Sequence, residues 1–546
     1  MAIAPTRTTS TETGTLTDAT RRTRARAAPQ RGIRVARSVR DHPERWIIAA
    51  AILVRLPLVF TGITNSSDIW RQSDTASIAR NFSTGGFHLF FPQIDWGGAG
   101  PGYVESEFQL YPFTVGLLYK LTGGEHVWLG KLVSLVLTTG TLAAFWGLAR
   151  RVVDRRVALL ALGFFAFSPI ALRYGDAFMP EATVLCFYVL ALLLFVRWLT
   201  EDRVALLVGA GLATGVALLV KPTSIQIGAV LVVLLVADRG WRALLSVRLG
   251  SVAVVAIAPA AIWTLHARDL HLRYGNTFGV ISGGDRKFAT LDTFTSSSFY
   301  TGVARIEVVW VFAVGALPLF LLGLVVAVRR RSPAVLLAGT VVIPIFFAVV
   351  AKYSAGPQGI QYHVFALPYA ALGVGLGLDA LAHWSQRCDD PHVGGRTWSG
   401  RVMTVGGVAA VAVFALVSLI SYVGLFPAEN RAVTACARHV ADTVPAGDLV
   451  VASSPYASQV DGYDVNFQEP MIFYFSDRRG WSLAADRHTP ENLTARADQG
   501  ARWFLAYDGA ALGDAPDLQR YLDDHAEQVG PGLDAGCGIW RLPHSA

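Results

Sequence analysis

Between Trp46 and Leu425 the chain repeats one pattern: a largely apolar run of roughly 17 to 25 residues, then a short polar loop. About 20 apolar residues are what a helix needs to cross a bilayer core. In lipid every backbone polar group must be satisfied within the segment, so runs of this kind are read as spanning helices. Composition agrees, because 53% of the 546 residues are hydrophobic and only 16% are charged. The expected fold class is therefore mainly α, a polytopic transmembrane bundle of about eleven helices. They are placed near 46–63, 127–149, 157–173, 180–198, 204–220, 224–238, 248–266, 307–328, 333–351, 363–383 and 402–425.

The net charge of +7 does not point to nucleic acid, since the arginines sit in a polar N-terminal tail and in short inter-helix loops. Lys and Arg accumulate in cytoplasmic loops. Placing the N-terminus inside puts "ARRVVDRR", "RWLTEDR", "ADRGWRALLSVR", "VRRRRSP" and "HWSQRCDDPHVGGRTWSGR" all on that side. Residues 1–45 are expected to be a disordered basic cytoplasmic tail. The first apolar run is too long for a removable signal peptide and lacks its cleavage site, so it is expected to be retained. The expected location is the plasma membrane, with a multi-pass domain over 46–425. Its external loops are placed at 64–126 and 267–306.

Residues 426–546 alternate helix-like and strand-like stretches, which predicts a small extracytoplasmic α/β domain. Cys436 and Cys537 both fall in it, on the oxidising side, and are expected to form a disulfide. The domain carries no GxSxG, CxxC or HExxH pattern.

The first external loop holds "SSDIWRQSDTASIARNF" and, beyond it, "FHLFFPQIDW", with Asp68, Asp74, Asp95, Glu105 and Glu107 among aromatics. Locally, Asp74 reads as the N-cap of the helical pattern "TASIARNF". A catalytic carboxylate is the competing reading, because loops on a rigid scaffold commonly carry function. At the same face the sequence places Arg173, Asp176 and Glu181 in "RYGDAFMPEATVLCF", and Lys352, Tyr353, Tyr362 and His363 in "KYSAGPQGIQYH". Asp176 reads as a solvated boundary carboxylate and the basic and aromatic residues as interfacial anchors. Glu181 opens an apolar run, where a charge needs a partner or a purpose. Arg55 within the first helix reads as a structural pair, and Lys221 as an anchor able to assist a phosphate. The aromatics of "FHLFFPQIDW" read either as the floor of a lipid groove or as an interfacial helix.

In the order and topology of these features the chain resembles the C-type glycosyltransferases, the membrane superfamily of protein O-mannosyltransferases and aminoarabinose transferases. The shared features are the acidic first loop, "Tyr-Pro" within "EFQLYPFTVGLLYKLTGGE", an acid opening the fourth helix and a basic, aromatic segment before "LPYAAL". The likeness covers roughly residues 46–385 and extends to "DRRGW" and "GARWFLAY". It departs at one place: many relatives carry Asp-Glu where this chain has Arg71 and Gln72, with the acid moved to Asp74.

The resemblance implies sugar transfer from a polyprenyl phosphate or diphosphate donor to a glycan, lipid or protein acceptor at the external face. Asp74 is then the expected general base, with Glu181 beside it. Lys352, His363, Arg71 and Arg173 are expected to hold the donor phosphate. Asp68, Glu107, Asp176, Tyr353 and Tyr362 are further candidates. Relatives differ in metal use; Mg²⁺ or Mn²⁺ held by Asp74 with Glu181 or Glu107 is an open expectation. The rival class is a transporter or lipid-linked-sugar flippase. Such proteins place ionisable groups near the midplane, whereas here they gather at one face. A membrane-anchored binding module is a third reading, and about eleven helices are too many for an anchor.

Overall fold

The fold is seen in a computed structural model that describes residues 40–63, 68–280, 287–350, 354–388, 398–426, 431–460, 462–507 and 512–543. Most of the expected N-terminal tail lies outside the described residues, as do the candidates Lys352 and Tyr353.

Among the described residues six helices are long and apolar enough to cross a membrane: Val127–Val152, Glu181–Glu201, Pro222–Arg239, Val247–Tyr274, Pro357–Gln386 and Val402–Val423. Leu317–Arg330 and Ala334–Val349 form a bent pair meeting at 120°, which raises the number to seven if they make one span. The first apolar run forms Pro43–Val59, and Val204–Val220 is likewise a shorter apolar helix. Local signals explain several ends. Asp154 accepts from the Val157 amide at 3.0 Å and so starts Arg155–Phe167. Gly123, at φ +77°, closes Leu110–Thr122 in a left-handed cap.

Two expected helices are not continuous. The run 307–328 divides into a π-type turn Glu307–Val311, which continues from helix Ser297–Ile306, and Leu317–Arg330. Pro318 lacks an amide hydrogen and suits the first turn of the restarted helix. The run 363–383 begins as a 3₁₀ segment, Pro357–Ala366, before Leu367–Cys388. The bundle core packs Val127–Val152, Arg155–Phe167, Glu181–Glu201, Val204–Val220 and Leu367–Cys388 around residues such as Phe145, Phe165, Tyr188 and Phe365. Leu317–Arg330 and Leu367–Cys388 approach backbone to backbone. A Cβ on Gly323 would stand 1.8 Å from the Gly373 carbonyl oxygen, the close small-residue contact expected between helices in lipid.

The first loop differs from expectation in two ways. Its helix starts a turn early, as Ile69–Thr84, so Asp68 stands at the N-cap position and Asp74 lies inside the helix. The first intrahelical bond runs from the Gln72 amide to the Asp68 carbonyl at 2.8 Å. The N-cap role assigned to Asp74 is therefore wrong. The stretch "FHLFFPQIDW" is irregular and not an interfacial helix; Pro92 removes a donor that a helix would need.

The C-terminal residues form a five-stranded sheet in the order Arg479–Leu483, Leu449–Ser453, Ala501–Ala506, Gly538–Arg541, Glu527–Gln528. The first three run parallel and the last two pairings are antiparallel. The Cys436–Cys537 disulfide ties helix Arg431–Thr443 to the start of strand Gly538–Arg541. This unit does not stand apart from the first loop. Ile78, Phe82, Ile94 and Trp96 share one apolar core with Val433, Cys436, Val450, Ile472 and Phe473.

Candidate active site at the loop end of the bundle

Helix Ile69–Thr84 lies between the bundle and the C-terminal sheet unit, packed on helix Pro470–Ser476. Trp70 anchors it, its indole donating to the Gln468 carbonyl at 2.6 Å. The cap residue Asp68 and two side chains of the helix, Arg71 and Asp74, each have a different partner.

Asp68 accepts from the Arg173 Nε at 2.7 Å and from the Tyr174 hydroxyl at 3.3 Å. Burial pushes its pKa above the ordinary carboxylate value despite Arg173. Arg173 also lies over the Trp310 ring, 4.9 Å from its centroid. Arg71 forms an ion pair with Glu107 and stacks over Phe278 at 5.1 Å. Burial alone would raise the Glu107 pKa, but Arg71 outweighs it and holds the group below its usual range. Glu181 and Tyr362 also act electrostatically on Arg71, so the helix Glu181–Glu201 and the segment Pro357–Ala366 converge on it.

Asp74 is only 1% exposed. Its Oδ1 accepts from the Trp96 indole at 2.9 Å, and its Oδ2 has no hydrogen-bond partner among the described residues. Burial, reinforced by Asp95 and Glu107, lifts its pKa to about 7, while Trp96 and Arg71 pull the other way. Such a carboxyl exchanges a proton near neutrality.

Glu181 is ion-paired with Lys221, which sits at the end of Val204–Val220 and lies over the Tyr362 ring at 4.9 Å. The Glu181 Oε2 has no hydrogen-bond partner among the described residues. Lys221 also acts on Glu107. Arg71, Asp74, Glu107, Glu181, Lys221 and Tyr362 thus form one cluster, with Asp68 and Arg173 beside it.

Two sequence candidates sit elsewhere. His363 is fully buried; its Nδ1 is 2.6 Å from Glu307 and its Nε2 is 2.9 Å from the Ser354 carbonyl oxygen. Both ring nitrogens therefore face oxygen partners. Asp176 is buried, not solvated as expected, and lies in the field of Lys131 and Arg55. Arg55 itself donates to the carbonyls of Ala51, Ala166 and Ala171 at 3.0, 2.7 and 2.9 Å. That agrees with its structural reading.

With this geometry in view, residues 109–265 match the sequence family described as dolichyl-phosphate-mannose-protein mannosyltransferase. Among curated proteins, no sequence matches the chain. Solved structures do match over nearly its whole length. ArnT from Cupriavidus metallidurans, bound to undecaprenyl phosphate, is 15% identical and superposes with a TM-score of 0.61 over 92% of this chain and 98% of its own. The archaeal oligosaccharyltransferase AglB from Archaeoglobus fulgidus, with an inhibitory peptide and a dolichol-phosphate, is 12% identical, with a TM-score of 0.56 over 92% and 75%. The arabinofuranosyltransferase AftD from Mycobacteria is 14% identical, with a TM-score of 0.52 over 92% of this chain and 42% of its own.

The fold is that of a C-type glycosyltransferase.

Within this fold Arg71 is paired with Glu107, and the Gln72 side-chain oxygen accepts from the Phe178 amide at 3.2 Å. Among the described residues no three His, Cys, Asp or Glu side chains converge, and Glu107 and Glu181 are already neutralised by Arg71 and Lys221. The role of Trp96 was missed, because an aromatic in an irregular loop gives no periodic signal. So was Glu307, which lies in the apolar run assigned to a continuous helix.

Proposed function

We propose that this chain is a membrane glycosyltransferase that moves a sugar from a polyprenyl-phosphate donor to an acceptor hydroxyl at the extracytoplasmic face. The N-terminus is then cytoplasmic, in keeping with the basic loops, and the C-terminal sheet unit lies outside. The observation that carries the reading is Asp74: a buried carboxyl with one oxygen uncommitted, set among cations at the loop end of a C-type fold.

The acceptor oxygen attacks the anomeric carbon as the bond from that carbon to the phosphate oxygen breaks. The acceptor proton passes to Asp74 Oδ2, and the polyprenyl phosphate leaves with its charge. Arg71 and Lys221 are held in advance by Glu107 and Glu181, so positive charge is in place where negative charge develops. Phosphate is a good leaving group, and no general acid is called for. Arg173, set against Asp68 and Trp310, supports the same edge. Lys352 remains a candidate for the phosphate, by its position in the sequence alone.

The reading is tested by incubating purified protein with radiolabelled undecaprenyl-phosphate hexoses and pentoses and a panel of glycan, lipid and peptide acceptors. Label is expected to pass to one acceptor class in the intact chain and not in Asp74→Asn. Solute export from sealed vesicles with no change in glycan mass would instead favour the transporter class.

A further inference from the structure

The C-terminal sheet unit meets the site through a seam of glycines. The Gly98 amide donates to the Gly480 carbonyl at 2.7 Å, and the Gly480 amide donates to the Asp95 carbonyl at 3.0 Å. Gly97 pairs with Trp481 in the same antiparallel fashion. Strand Arg479–Leu483 is the edge of the C-terminal sheet, and this loop covers its open side. An uncovered edge is a template for pairing; here the template is used within the chain.

Only glycine permits so close an approach. A Cβ on Gly98 would lie 2.5 Å from the Trp481 indole nitrogen, and one on Gly480 would lie 1.7 Å from the Val450 carbonyl oxygen. Both also hold positive φ, at +78° and +157°. A second tie lies one turn away. Arg80 pairs with Asp95 at 2.7 Å and with Asp477 at 3.2 Å, and donates to the Tyr474 carbonyl at 3.1 Å.

Between Asp95 and Gly97 sits Trp96, whose indole reaches Asp74. We infer that the C-terminal unit is a positioning element of the site: its edge strand fixes the 95–98 loop, the loop aims the Trp96 indole, and the indole orients Asp74 so that Oδ2 alone is offered to the acceptor. Trp96 is a positioning residue, not a catalytic one. The inference rests on the proposed role of Asp74 as base.

The groups that act on Asp74 are Arg71 on its own helix, Asp95 and Trp96 on the loop, and Glu107 beyond it. The indole hydrogen bond favours the ionised carboxylate. Trp96→Phe keeps a ring in the pocket and removes only the donor. In the full-length protein the acid limb of the transfer rate is expected to move upward by about half a pH unit or more. Gly98→Ala, which disturbs the seam and touches neither Asp74 nor Trp96, is expected to move the limb in the same direction. A double-mutant cycle of Trp96→Phe with Asp74→Ala, which removes the acceptor, read by thermal unfolding, is expected to show shifts that do not add. An unmoved limb in both single variants, or additive shifts in the cycle, overturns the positioning role. Undiminished transfer by Asp74→Asn overturns the base assignment instead; the cycle needs no activity and still decides whether indole and carboxylate act as a unit.

Discussion

Arg55 and Asp74 are removed from solvent to the same degree, at 0% and 1% exposure, and they are treated in opposite ways. Arg55 gives hydrogen bonds to the Ala51 carbonyl on its own helix and to the carbonyls of Ala166 and Ala171 near the ends of two others. Its seat is shaped to it, since a Cβ on Gly175 would fall 2.5 Å from its Nε. Asp74 has one indole donor and one bare oxygen. Buried polar atoms are almost always paired, and an exception calls for an explanation. Bonds to three backbone carbonyls, with only Nε unmatched among the described residues, mark Arg55 as scaffold, whereas the open acceptor oxygen of Asp74 marks a place where a reacting group can dock.

The sharpest way to break this contrast is Asp74→Asn. Loss of a general base is expected to lower transfer by about 10²–10⁴-fold. The same change should stabilise the fold. Burial raises the Asp74 pKa to about 7 from its ordinary 3.8, so the folded state favours the protonated form. Its contribution to stability is complete below about pH 4 and is lost as pH rises through 7. At pH 8 asparagine, which never ionises, is expected to be more stable by roughly 2–4 kcal/mol, read by thermal unfolding in detergent. A variant that is both inactive and destabilised would move Asp74 to the scaffold class.

Arg55→Met tests the other side. Three carbonyls lose their donor, and stability is expected to fall by about 3 kcal/mol. Specific activity of the folded fraction should hold, measured after removal of aggregate by size exclusion. A folded but inactive Arg55→Met would bring Arg55 into the chemistry.

Removing the disulfide with Cys436→Ser and Cys537→Ser acts on the unit that braces the Asp74 side. A cost of about 2–4 kcal/mol is expected, seen as faster proteolysis within 431–543 while the bundle helices stay protected. The smallest effect is the position of the pH dependence itself. Transfer should rise with pH through an acid limb near 7, because the base must be ionised. A limb near 4 would point to a carboxylate with an ordinary pKa.

Much of this was legible in the residues. Apolar run length gave the bundle, and the alternation after Leu425 gave the α/β unit. The compartment of Cys436 and Cys537 gave their pairing. The gathering of Arg71, Asp74, Glu181 and Tyr362 at one end followed from counting spans. Pairings across long separations did not. Lys221 meets Glu181 forty residues away, and nothing in "LLVKPTS" names that partner. Asp74 was misread as a cap because local propensity cannot see Arg173, which occupies the Asp68 carboxylate and leaves the helix to start there without a side-chain cap.

The sequence by itself determined that the chain is a multi-span helical membrane protein with its acids and bases collected at one face. Hydropathy and charge placement act through the solvent, and each segment reports them alone. Only the tertiary structure decided which charges cancel, that Asp74 keeps an oxygen open without an ion-pair partner, and that the C-terminal sheet edge closes over the loop beside Asp74. Those outcomes depend on distances between elements far apart in the chain, and a few ångströms separate a saturated ion from a reactive one.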